Sequence, residues 1–343
     1  MHRLGRMTIP APVRPQRRRS AAWPVLTVLA SSPVAVLSAF RALPAEWPTA
    51  VVQLLSFTPW LVIPAGASVL FALLGRRRWL LWLTGALAAV QLFWLFPLDH
   101  GRSVPDAGAP TVELTAMTIN SEFGQADAAE IVRLVREEGV GLLTIQEHSQ
   151  ALGDRLAAEG LSTLLPNRIS NPTDDGAGSA TYSAHRLDAV GVLPGTPFQM
   201  PIVRLTMDGP AGRAVLEVAN VHALPPVDVR VDQWRSDLAA LGALAASPGN
   251  RLLIGDFNAT YDHAEFRAVL DGGEDARKMV DVGTAAGMRL VPTWPMEGPR
   301  LPGITIDHLV TSPGIAVSGY EVHRVSGTDH AAVVATLRVP AAG

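Results

Sequence analysis

The 343-residue chain contains no cysteine. That excludes disulfides, zinc–cysteine sites, iron–sulfur clusters and thiol nucleophiles. It has one lysine, Lys278, set in "EDARKMV". A P-loop needs its lysine inside a glycine-rich phosphate cradle, so a P-loop NTPase is excluded. No G-x-S-x-G elbow of a serine hydrolase is present, nor the H-E-x-x-H of a zincin, nor a G-x-G-x-x-G after the first strand. A calcineurin-like metallophosphatase would need a G-N-H motif and a second Asp in a G-D-x-x-D pattern, but no G-N-H is present and "GDFNAT" lacks the second Asp.

Acidic residues are scarce at the front. Residues 1–100 hold ten arginines against only Glu46 and Asp99, which leaves 18 basic and 29 acidic side chains after residue 100, a net of −11. A domain of that charge is poorly suited to grip long polyanions through counterion release. The chain is 48% apolar, and the excess sits before residue 98. Three runs there carry no charge: 21–40, 49–74 and 79–98. Each reaches the roughly 20 residues that a helix needs to cross a hydrocarbon core of about 30 Å. The first run could instead be a signal peptide behind "RPQRRRS", but it exceeds a usual h-region and two more runs follow.

Arginine placement gives an orientation. The tail 1–20 and the "GRRRW" turn between the second and third runs are basic, so the positive-inside rule puts both in the cytoplasm. Everything after about residue 100 is then expected outside. Residues 99–111 read as a linker, and 112–340 as the domain it carries.

That domain reads as short strands with few helices, an α/β sandwich rather than an alternating dinucleotide-binding sheet. "VELTAMTIN" alternates as a strand. Asp127 and Glu130 are spaced as a capping box for a helix with an Ile131, Leu134, Val135 face and a stop at Gly139. "PNRISNPTDDGAGSA", 166–180, reads as a long loop. Several strands end in a side chain of catalytic type: Asn120, Glu147, His222, Asp256 with Asn258, Asp307, and Asp329 with His330. Each alone reads equally as a turn or a solvated strand end. Their order, and their shared place at strand ends, is the informative feature.

The set "MTIN", "LLTIQE", "VANVHA", "LLIGDFNAT", "ITIDHLVTS" and "GTDHAAVVATL" resembles the endonuclease/exonuclease/phosphatase superfamily over about residues 112–340. The three-span front is similar to that of membrane-anchored bacterial members. The resemblance implies a four-layer α/β/β/α sandwich (DNase I-like) preceded by three transmembrane helices. It implies a divalent metal, Mg²⁺ or Mn²⁺, at Glu147, with Asn120 and Asp329 in the same site. Asp256 would orient or deprotonate the attacking water, and Asn258 would help hold the phosphate. His222 and His330 would contact phosphate oxygens, with Asp307 fixing His330. Glu122 falls where some members place a second acid, and Tyr182 near a phosphate-contacting Tyr. Val140 and Gly141 stand where many members carry Asp.

Phosphodiester chemistry asks for these types independently. A hard cation on oxygen ligands neutralises developing charge. A carboxylate activates water, and a carboxylate behind an imidazole favours its charged, donating form. The implied substrate is a phosphoester: a lipid head group, an envelope phosphoester, a nucleotide or a nucleic acid. No protein partner can be inferred. The alternative, a non-catalytic membrane-tethered binding module, would be indicated by loss of Glu147, Asp256 or His330, and all three remain.

Overall fold

The structure, a computed structural model, describes residues 22–98, 101–105, 108–210, 212–273, 277–299 and 301–342. The basic tail expected at 1–20 lies outside these residues. Among the described residues, three helices are long and apolar enough to cross a membrane: Ala22–Ala42, Thr58–Gly75 and Arg78–Leu95. The run 49–74 is not the single helix expected. It forms a helix Thr49–Leu55, a 3₁₀ turn Thr58–Leu61 and a helix Val62–Gly75. Pro59 has no N–H to offer the Leu55 carbonyl. The Thr58 hydroxyl donates to that carbonyl instead, at 2.7 Å.

The strands are, in chain order, β1 (Thr111–Asn120), β2 (Leu142–Gln146), β3 (Asn167–Asn171), β4 (Ser179–Ser183), β5 (Arg186–Val192) and β6 (Pro201–Gly209). They continue with β7 (Gly212–His222), β8 (Arg251–Asp256), β9 (Val280–Asp281), β10 (Asp307–Thr311), β11 (Ala316–Arg324) and β12 (Ala331–Ala342). One sheet runs β3-β4-β2-β1-β12-β11 and the other β5-β6-β7-β8-β10-β9. The end of β12 joins them, pairing Ala341 with Ala214 and Ala342 with Arg213. Part of the expected loop 166–180 is thus β3 and the start of β4. Its alternation was masked because β3 is an edge strand with half-buried polar positions.

Strand parity sets the layers. Leu114, Ala116, Leu142, Leu216, Val218, Leu252, Ile254, Leu309, Val333 and Ala335 fill the space between the sheets. The alternate residues Met117, Ile119, Leu143 and Ile145 pack beneath helices Ala128–Glu137 and Gln150–Ala158. Ala219, Val221, Leu253 and Val310 pack beneath Val231–Ala245 and Ala264–Asp271. This is the four-layer α/β/β/α sandwich. Asp127 caps its helix through Glu130 N–H at 2.9 Å. The capping box is only half made, because the Glu130 carboxylate accepts from Ser326 rather than from Asp127.

The apolar helices dock on the sandwich. Val52 is 2% exposed and sits in one core cluster with Trp234 and Phe257. Thr49 donates to the Asp228 carbonyl (2.7 Å) and Gln53 to that of Pro226 (3.2 Å). Thr260 N–H donates to His263 Nδ1, so the proton sits on Nε2, which donates to the Val52 carbonyl at 2.9 Å. Burial lowers the His263 pKa, in keeping with this neutral tautomer. Arg41 and Arg289 both grip Asp262, at 2.7 and 2.6 Å. These contacts gather at the ends of the helices away from the Arg76–Arg78 turn, where Gly75 packs on Trp23.

Candidate active site

The parity that fills the inter-sheet core also builds the site. Asn120 follows Leu114 and Ala116 on the inner face of β1, and His222 follows Leu216 and Val218 on β7. Asp256 follows Leu252 and Ile254 on β8, and Asp307 precedes Leu309 on β10. Where the apolar core stops, these polar groups continue it into a cleft between the sheet ends. Beneath them, Gln146 of β2 donates to Asn220 of β7 at 2.6 Å, and Asn220 donates to the Ala180 carbonyl at 2.9 Å. This buried network ties one sheet to the other directly under the site. Breaking one partner leaves buried groups unsatisfied, at about 1–3 kcal/mol each.

The cleft is graded by depth. Asp307, Asp256 and His222 form the floor, with side chains 0, 1 and 3% exposed, while Glu147 at 15% and Asp329 at 33% stand on the rim. Asn120 Nδ2 donates to Glu147 Oε1 (3.2 Å) and to Asp256 Oδ2 (3.1 Å). His222 Nε2 lies 3.7 Å from Glu147 Oε1 and 3.9 Å from Asp256 Oδ2. His330 Nδ1 is held by both Asp307 oxygens at 3.1 and 3.0 Å, leaving Nε2 aimed into the cleft, 3.8 Å from Asp256 and 3.7 Å from Asp329. All eight candidate residues therefore fall in one place.

Backbone strain is concentrated here. Glu122, Phe123, Glu147 and Asn258 have φ of 46, 55, 54 and 47°. Non-glycine residues in that region persist only when the surroundings over-determine them, and they cluster at functional sites. Gly255 is required for a different reason. A Cβ there would lie 2.0 Å from the Val221 carbonyl, so only glycine lets β8 approach β7 and present Asp256.

Two placements differ from expectation. The Glu122 backbone N–H meets Asn120 Oδ1 at 3.0 Å, which fixes the carboxamide with its nitrogen toward both carboxylates. Asn120 is thus a bridge between Glu147 and Asp256 rather than an oxygen ligand. Asn258 directs both amide hydrogens to the Ala223 carbonyl (2.9 Å) and Asp256 Oδ2 (3.2 Å). Its left-handed turn folds the side chain back onto Asp256, which its amide braces. Tyr182 points to the outer face, 3% exposed against His148, away from the cleft. Glu122 closes the rim by accepting from Asp329 N–H at 2.7 Å.

Neighbours that sequence reasoning missed complete the site. Phe198 stacks on His222, ring centroids 4.4 Å apart. Gly176 packs against Phe198 and the Glu147 carboxyl. Trp294 donates to Asp329 Oδ2 at 2.7 Å. Thr328 donates to the Asn120 carbonyl at 2.8 Å. Gln146 and Asn220 carried a readable signal, since each stands on the inner parity of its strand. Phe198 and Trp294 lie in connections and carried none.

Burial would lower the His330 pKa, but the carboxylates of Asp307, Asp256 and Asp329 outweigh it and push it up to about 10. Burial, then the charge on His330, brings His222 down to about 3. Burial raises Asp256, with Asp307 adding to the shift. Glu147 is raised chiefly by burial. Among the described residues, none of Glu122, Glu147, Asp256, Asp307 and Asp329 pairs with an arginine or lysine. A cleft so rich in oxygen donors and so short of cations fits a hard divalent metal. Asp256, Asp307 and His330 also bring ligand atoms within 4.8 Å of one another. With His330 Nδ1 committed to Asp307, the oxygens of the Glu147 rim suit a hard divalent cation better.

The model of the Endonuclease/Exonuclease/phosphatase family matches residues 117–330. The chain belongs to that family, whose members are phosphoesterase and nuclease hydrolases. Among solved structures it is similar to a D. rerio TDP2 complexed with single strand DNA product. That likeness has 15% identity and a TM-score of 0.50, over 66% of this chain and 98% of that one. It is also similar to the 3′ phosphatase NExo from Neisseria bound to a product DNA hairpin, with 19% identity and a TM-score of 0.50 over 65 and 98%. The endonuclease/exonuclease/phosphatase from Beutenbergia cavernae is 20% identical, with a TM-score of 0.49 over 66 and 72%. No curated protein matches.

Proposed function

We propose that the chain is a membrane-anchored phosphodiesterase that depends on Mg²⁺ or Mn²⁺ and works on the extracytoplasmic face of a bacterial plasma membrane. The observation that carries this reading is the convergence of Glu147, His222, Asp256 and His330 from separate strands, from both sheets, on one cleft. Water adds to phosphorus and the bond to the leaving oxygen breaks. Asp256, desolvated and braced by Asn120 and Asn258, takes the proton from water. His330, kept cationic by Asp307, donates from Nε2 to phosphate oxygen. His222, neutral and stacked on Phe198, offers its Nε2 across the cleft. Glu147, with Asp329 on the same rim, would hold a divalent cation, whose chemistry would be to neutralise charge on the phosphate oxygens and ease deprotonation of water.

The substrate class follows from placement and charge. The net of −11 after residue 100 disfavours long polyanions, although two of the similar structures named above were captured with DNA. A tethered site outside the membrane favours a lipid head group, an envelope phosphoester or a nucleotide. Removal of metal is the direct test. The full chain in mild detergent should lose all turnover in EDTA and regain it with Mg²⁺ or Mn²⁺. Undiminished turnover in EDTA would contradict the metal role. The orientation rests on the nine arginines of the tail and the Arg76–Arg78 turn, and on the domain docking at the opposite helix ends. A C-terminal reporter should be active only outside the cell, and a cytoplasmic signal would reverse the topology.

A further inference from the structure

Between the helix ends and the sandwich lies a cavity of about 350 Å³, distinct from the cleft. Such a volume falls in the range of small-molecule sites. Trp60, Ile63 and Leu95 line it from the apolar helices, and Leu290, Leu301 and Ile304 from the domain. Ile63, Leu290 and Leu301 are 62, 45 and 69% exposed, so the lining continues outward as an apolar surface. Trp60 donates to the Gly303 carbonyl at 2.9 Å and pins the two walls together.

One wall is cationic. Arg289 lines the cavity with its side chain 8% exposed. Its Nη atoms reach Asp262 at 2.6 Å and the carbonyls of Trp94 and Leu95 at 2.8 and 3.1 Å. Its Nε is buried without a partner. Arg41 grips the same Asp262, and Arg267 donates to its carbonyl at 2.7 Å. Two guanidinium groups thus hold the Asp262 carboxylate and a third its backbone carbonyl, with Arg41 and Arg267 standing behind the wall, in the lining of the adjoining cavity. The other carboxylate lining the cavity, Asp281, is answered by His308 at 3.2 Å. The surplus is positive, at the level where tryptophans mark a membrane interface.

We infer that this cavity binds one anionic bilayer lipid, with an acyl chain along the apolar walls and its phosphate at Arg289. Apolar walls drawn from the membrane helices give a lipid tail direct entry. The unpartnered Arg289 Nε and the surplus of guanidinium charge select a negative head group over a zwitterionic one. The inference rests on the membrane placement of the helices proposed above, and not on the chemistry of the cleft.

Native mass spectrometry of the full chain in mild detergent, after lipid removal, tests it with added phosphatidylglycerol or phosphatidylcholine. One retained phosphatidylglycerol per chain is expected, with about tenfold preference over phosphatidylcholine, a difference of about 1.4 kcal/mol. Leu301→Trp and Ile63→Trp, at exposed positions that fill the mouth, should lower retention about tenfold while melting within a few degrees of the parent. Equal retention of both lipids, no saturable lipid, or retention unchanged in both variants would overturn the site. A chain that partitions into membranes yet retains no lipid overturns this inference alone. A chain that leaves the membrane fraction at high salt and alkaline pH overturns the anchor beneath it.

Discussion

His330→Ala is expected to lower kcat by about 10²–10⁴-fold, the range for a positioned proton donor. The ring is held cationic, at a pKa of about 10, and the cause is visible in its partners. Asp307 meets Nδ1 with both oxygens and is itself fully buried, with Thr293 Oγ1 accepting from its backbone N–H. Asp307→Asn should therefore act through His330. It keeps the shape, removes the charge, and is expected to drop the pKa of His330 and shift the basic limb of the pH–rate profile downward. Circular dichroism and melting temperature establish that both variants fold. A rate within threefold of the parent for folded His330→Ala would contradict its role.

Asp262→Ala is expected to cost about 3–5 kcal/mol of stability, because it leaves buried charges without an answer. Asp262 is 1% exposed, and Arg41 and Arg289 are 7 and 8% exposed. Arg41 also lies over the Trp94 ring, 4.3 Å from its centroid. The residue is the keystone between the first and third apolar helices and the loop that follows Asn258. Its loss frees Thr260–His263, and with it the His263 bond to Val52. Thermal unfolding of the full chain in detergent checks this. A change below about 0.5 kcal/mol, the scale of an ordinary surface substitution, would show that the ion pairs carry no stability.

Much of the site was legible because strands have period two. Asn120, His222, Asp256 and Asp307 stand on the parity of the inter-sheet core, the first three closing their strands and Asp307 opening β10. Their convergence could be anticipated from strand ends alone once a two-sheet sandwich was assumed. Carboxamide orientation could not. That Asn120 turns its nitrogen inward depends on Glu122 N–H, and Glu122 is brought there by a left-handed backbone that no pattern announces. The break in the second apolar run was signalled by Pro59, a residue that kinks helices, and not by hydropathy. Hydropathy continues smoothly through Phe57, Thr58 and Pro59, while the missing N–H of Pro59 decides the geometry. Docking of the helices on the domain was also unreadable. Arg41 and Asp262 are 221 positions apart, and nothing local links them.

Docking has a consequence for how the site is held. Loops that follow His222 and Asn258, and the one that precedes Asp307, each touch an apolar helix through Pro226, His263 or Gly303. The apolar helices thereby brace one side of the cleft. The full chain, rather than an excised domain, is the form in which the chemistry should be measured.

The most direct measurement is the initial rate of phosphodiester hydrolysis by the full chain in Mg²⁺. Nucleic acids, nucleotides and lipid head groups are offered side by side, with folded Asp256→Asn run in parallel. The account predicts turnover of at least one class, reduced at least about 10²-fold by the substitution. No turnover on any class, or equal rates for parent and variant, would contradict it.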